Sequence, residues 1–140
     1  MRDIDLSKDI LEKNSYTCVI CKGSKTLTST ERGVKPLVLW YEGSEDTINA
    51  SAADKVVGRG AAFLYLLLGV RELYAQVISK PALELLEENG VSVSYGTLAD
   101  NIINRRGDGI CPFEAAVLNI TDPKDAYTAI TEKMKEMNIK

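Results

Sequence analysis

Cys111 stands at the head of Cys111-Pro112-Phe113-Glu114, directly behind the glycine-rich stretch Arg105-Arg106-Gly107-Asp108-Gly109. Pro112 and Glu114 are helix-start signals, which puts Cys111 at an N-cap. The helix dipole there can lower a thiol pKa and create a nucleophile, with Glu114 or Asp54 as acid-base partner. A local reading competes: Pro112 and Glu114 merely start the helix, and Glu114 closes a capping box while its charge opposes a thiolate.

Asp54, Lys55 and Arg59 lie in the stretch Ala50 to Leu68, whose pattern reads as one long helix with Ser51 as its cap. Lys55 and Arg59 are four apart, so on a helix they share a face and repel. Two cations at such a start fit an anion such as phosphate, with Asp54 orienting a polar group. Pairing with Glu31 or Glu114 is the structural alternative. Glu31, Arg32 and Lys35 flank Gly33, where Arg32 and Lys35 either grip an anionic ligand or pair locally in a solvated turn. Arg105 belongs to a polar cluster with Asn101, Asn104, Arg106 and Asp108, a ligand-gating loop or a mobile surface connection.

Cys18 and Cys21 form a C-x-x-C pair inside a β-rich run. Residues three apart on a strand point to opposite faces, so the pair reads as two small core hydrophobes. The 140 residues contain no His, which excludes Ser-His-Asp and Cys-His catalysis. The 17 basic and 20 acidic residues leave a net charge of −3, against a phosphate-reading nucleic-acid module. Three cysteines in a chain this size suit a reduced, cytoplasmic protein. The start Met1-Arg2-Asp3 has no apolar run behind it, so no signal peptide is expected. The apolar run Gly60 to Val70 is too short to span a bilayer. No metal site and no cofactor are implied, and a homo-oligomer is left open.

The elements that must position these residues follow from patterning. A short amphipathic helix starts near Asp3 or Asp5, and a hairpin joins Tyr16–Cys21 to Lys25–Thr30 across Gly23. A short helix around Leu37–Tyr41 packs Trp40 into the core, and the long helical stretch follows. Arg71–Ile78 is a strand, Ser79 caps a helix with Pro81 in its first turn, and Val91–Tyr95 is a further strand. Leu98–Ile103 reads as helical or loop-like. Helices start at Pro112 and at Asp122-Pro123, the last reaching about Met137. This order predicts a single α/β domain over residues 1–140. Its expected form is a three-layer α-β-α sandwich with a mixed sheet of about four strands, including a parallel pair.

The order looks like the core of the cytidine deaminase fold. More closely, the stretches Glu31–Leu37, Ala53-Asp54-Lys55-Val56-Val57-Gly58 and Cys111–Glu114 resemble a family of uncharacterised prokaryotic proteins with that fold. The resemblance implies the scaffold but not the metal. Zinc deaminases carry a His or Cys, with a Glu two residues on, at one helix start and Pro-Cys-x-x-Cys at the next. Here the first position falls near Ala52–Lys55, and the second on Pro81-Ala82-Leu83-Glu84-Leu85, with no ligand Cys or His in either. The expectation is therefore a zinc-free protein holding a small anionic or nucleotide-like ligand. An enzyme using Cys111 as nucleophile and an interaction module without a small-molecule site are the alternatives.

Overall fold

Asp3 and Asp5 in the first turn and Lys13 in the last complement the dipole of α1 (Asp3–Lys13). The computed structural model describes residues 2–31, 33–102, 107 and 109–138. Gly23, at φ 59°, turns the hairpin of β1 (Cys18–Lys22) and β2 (Lys25–Ser29). Then come α2 (Lys35–Glu42), β3 (Ser51–Val57), α3 (Arg59–Leu68), β4 (Glu72–Ser79), α4 (Lys80–Glu88), β5 (Ser92–Ala99), α5 (Pro112–Ala116) and α6 (Pro123–Glu136).

The strands form one five-stranded mixed sheet in the order β2-β1-β3-β4-β5. β1 is antiparallel to both β2 and β3, while β3, β4 and β5 run parallel. Helices pack on both faces. Leu11 of α1 sits with Val19, Cys21, Ala53 and Tyr74 on one side. The larger core, with Phe63 and Leu64 of α3, Leu86 of α4 and Ile130 of α6, meets Ile20, Ala52, Leu73 and Ala75 on the other. Cys21 and Ile20 thus face opposite ways, as alternation requires, and Trp40 packs partly buried against the larger core.

Two expectations are corrected. The sheet has five strands, not about four, because Ala50–Leu68 is not one helix: its first half is β3. Ser51-Ala52-Ala53-Asp54 is helix-tolerant by composition, but it lies between β1 and β4 with every one of these residues buried. A central strand covered on both faces shows no alternation, so periodicity could not mark it. The second correction concerns Leu98, which with Ala99 ends β5 instead of starting a helix or loop.

The Ser79 cap is as expected, with its Oγ accepting from the Ala82 backbone N–H at 3.2 Å. Ser79 is fully buried, so Ser79→Ala should lower stability by about 1–2 kcal/mol. Urea unfolding would show it as a lower midpoint at unchanged slope. No described helix is long and apolar enough to cross a membrane.

Candidate functional site

Parallel strands β3 and β4 end where α3 and α4 begin, and open sheets commonly hold ligands outside such carboxyl ends. A cavity of about 430 Å³ lies at the end of β3. Its walls come from Thr17 and Cys18 at the start of β1, Gly33 and Val34 before α2, and Asp54, Lys55 and Val56 of β3. Gly58, Gly60 and Ala61 at the start of α3, then Ile102, and finally Cys111, Phe113 and Glu114 complete them.

Asp54, Lys55 and Val56 are consecutive, and a regular strand would not turn three consecutive side chains to one cavity. The alternation breaks here. Ala52 and Val57, an odd number of residues apart, both reach the larger core. At this point the Oδ1 of Asp54 accepts from the backbone N–H of Val56, two residues on, at 3.2 Å.

The other oxygen of Asp54 accepts from the Tyr65 hydroxyl at 2.6 Å. Burial pushes the Asp54 carboxyl up to about 7, with the Tyr65 and Val56 hydrogen bonds pulling the other way. Tyr65 is raised in turn, first by burial and then by the Asp54 charge. Cys18 is raised by the same two causes. Its thiol is thereby kept neutral and inert, in agreement with its reading as a small core residue.

The local reading has Glu114 closing a capping box on its own helix. Instead it reaches across to α3: Oε1 and Oε2 accept from the Arg59 backbone N–H at 2.9 and 2.7 Å. The Ser79 hydroxyl lies 3.5 Å from Oε1. Burial raises the Glu114 carboxyl, opposed by the backbone hydrogen bonds of Arg59 and Gly60. Cys111 does precede α5 as its N-cap, but α5 is five residues long, so little dipole stands behind the thiol.

Of the residues singled out in the sequence, Asp54, Lys55, Cys111 and Glu114 converge on the cavity. Arg59, Lys35 and Glu31 do not line it. Because α3 starts only at Arg59, Lys55 belongs to a strand and the two cations share no helix face. The Arg59 guanidinium donates to the Ile120 carbonyl at 2.6 Å and lies over the Phe63 ring. Lys35 pairs with Glu31 at 3.1 Å, the local reading of that turn. Arg32 and Arg105, with Asn104, Arg106 and Asp108, lie outside the described residues. Sequence reasoning missed Tyr65, whose hydroxyl inside an otherwise apolar helix was the available signal. Gly58 and Gly60 do signal a close approach of a backbone or a ligand from the sequence; at Gly58 what approaches is the side chain of Glu114.

The family described as a domain of unknown function, DUF1893, matches residues 7–134. The chain belongs to the DUF1893 family. The match runs from within α1 to within α6, so every cavity residue named above falls inside it. The fold is similar to the crystal structure of a DUF1893 family protein (TM1506) from Thermotoga maritima, with a TM-score of 0.81 and 32% identity. That similarity covers 89% of this chain and 85% of the other. No curated protein matches the sequence.

Proposed function

We propose that this DUF1893 chain binds a small nucleotide-like ligand in the cavity at the end of β3, on a zinc-free scaffold of the cytidine-deaminase type. The observation that carries the reading is the convergence of Asp54 and Lys55 of β3 with Cys111 and Glu114 of the α5 segment on one cavity. Its volume, about 430 Å³, lies in the range of small-molecule pockets. Val34, Ala61, Ile102 and Phe113 offer apolar walls for a flat body. Asp54 offers a polar floor, and Lys55 a cation for an anionic end.

The sheet order, with β1 antiparallel to three parallel strands and helices on both faces, supports a three-layer α-β-α sandwich of that type. The donor set does not fit a deaminase zinc. The segment matched to the first ligand position, Ala52–Lys55, lies in β3, while α3 opens with Gly58-Arg59-Gly60-Ala61. α4 opens with Ser79-Lys80-Pro81-Ala82. Neither start has a His or Cys, and among the described residues no three His, Cys, Asp or Glu side chains are grouped to hold a metal.

A thermal-shift screen of nucleosides, nucleotides and phosphorylated metabolites tests the reading. A ligand at 100 times its dissociation constant stabilises by about 2.7 kcal/mol. The stabilisation by a phosphorylated member should shrink in Lys55→Ala, while that by the matching nucleoside persists. If no member shifts the transition, the reading fails.

A covalent reading has one observation in its favour: Cys111 is half-buried on the cavity wall, whereas Cys18 and Cys21 are buried. Cys111 would be the nucleophile, with Glu114 or Asp54 as acid-base partner. It requires Cys111 to react with iodoacetamide at neutral pH faster than a free model thiol. A slower reaction removes it.

A further inference from the structure

We infer that Glu114 is a positioning residue: its carboxylate seats α5 on the start of α3 and so holds Cys111 and Phe113 in place as one wall of the cavity. The inference needs no ligand, so it stands or falls separately from the reading above.

A helix start leaves backbone N–H groups without intrahelical partners. The N-cap of α3 is Gly58, which has no side chain to accept from them. Glu114 supplies the acceptor from 55 residues away, with both oxygens on the Arg59 N–H. A carboxylate is also the favoured charge at a helix N-terminus. The seat is shaped for it. A Cβ on Gly58 would lie 2.1 Å from Oε1 of Glu114 and 2.6 Å from its carboxyl carbon, so only a glycine admits the side chain. The Gly58 φ of −97° is open to any residue, so space rather than backbone conformation demands the glycine.

α5 cannot hold itself in position. Five residues are far too few for an independent helix. Among the described residues its ties include the Cys111 N–H to the Ile102 carbonyl at 2.9 Å, the packing of Phe113 near Gly60 and of the segment against α6, and the Glu114 carboxylate. Among these, the carboxylate is the polar link from α5 to α3. Cys111 and Phe113, three and one residues earlier, are cavity wall. Releasing the carboxylate therefore loosens the wall from its own end.

Two of the cysteines allow a direct test, because Cys21 is fully buried within β1 on the face away from the cavity and reports global opening, while Cys111 reports α5; Cys18 shares the cavity wall. Iodoacetamide alkylation, in which the thiolate displaces iodide to form a thioether, would be followed by mass spectrometry without denaturant. The proteins are wild type, Glu114→Ala, Glu114→Gln and Gly58→Ala. The Cys111 rate should rise roughly tenfold or more in Glu114→Ala and in Gly58→Ala, with Cys21 unchanged. Glu114→Gln, which keeps one acceptor oxygen, should fall between. Gly58→Ala retains the Glu114 charge, so a rise there comes from unseating the carboxylate and not from removing a charge near the thiol. If Glu114→Ala does not fold, the Gly58→Ala and Glu114→Gln pair decides. An unchanged Cys111 rate in Gly58→Ala, or an equal rise at Cys111 and Cys21, overturns the inference.

Discussion

Asp54→Asn should remove a loss of stability, roughly 4 kcal/mol in size, that the wild-type protein suffers as pH rises from about 4 to about 7. The carboxyl is raised from 3.8 to about 7 by burial under the cavity. Between those values the folded protein keeps the Asp54 proton and the unfolded chain releases it. Unfolding then releases a proton, so raising the pH favours the unfolded chain, and the contribution is lost as pH climbs through the folded value. Above about 7 both states are ionised and this slope vanishes. Asparagine does not titrate, and its amide can still meet the Tyr65 hydroxyl and the Val56 N–H that Asp54 engages. The measurement is urea unfolding of both proteins across this window. The difference, variant minus wild type, should climb toward neutral pH and then level. A difference independent of pH would mean that Asp54 is not the buried titrating group.

The second large effect comes from two neighbouring glycines that ought to behave oppositely. Gly58→Ala should lower stability by about 1–3 kcal/mol. The loss of the charge-assisted hydrogen bonds between Glu114 and Arg59 is only partly offset by the lower entropy of the unfolded chain. At Gly60, a Cβ would meet nothing closer than the Phe113 carbonyl oxygen at 3.5 Å, an ordinary contact. Gly60→Ala should therefore be neutral or stabilising by up to about 1 kcal/mol, since alanine is the better helix former. Side-by-side denaturation midpoints decide the matter, and equal effects at the two positions would contradict the geometry.

The local devices of this fold were readable from the residues. Gly23 between two β-rich runs marked the hairpin, and Ser79 with Pro81 marked the start of α4. Asp122-Pro123 marked that of α6, where Asp122 accepts from the Lys124 N–H at 2.7 Å. These signals act within a few residues, so sequence carries them. β3 was not readable. Its burial comes from β1 and β4 lying on either side, and those partners are set by the topology. The error had a direct consequence for the site, because a helix starting at Ser51 places Lys55 and Arg59 on one face. Starting α3 at Arg59 sends the guanidinium to Ile120 and leaves Lys55 on the cavity wall.

By itself the sequence determined a mixed α/β domain, the absence of histidine chemistry, the hairpin and the helix starts after Ser79, Cys111 and Asp122. It also picked out Asp54, Lys55, Cys111 and Glu114 as residues worth following. All of that rests on residue type and on spacing within a few positions. Only the tertiary structure decided that those four share a cavity, and that Tyr65 stands beneath Asp54. It alone decided that the Glu114 carboxylate fills the space left by a glycine 56 positions earlier. Those relations depend on which strands pair and how closely distant backbones approach, and no local pattern encodes that distance.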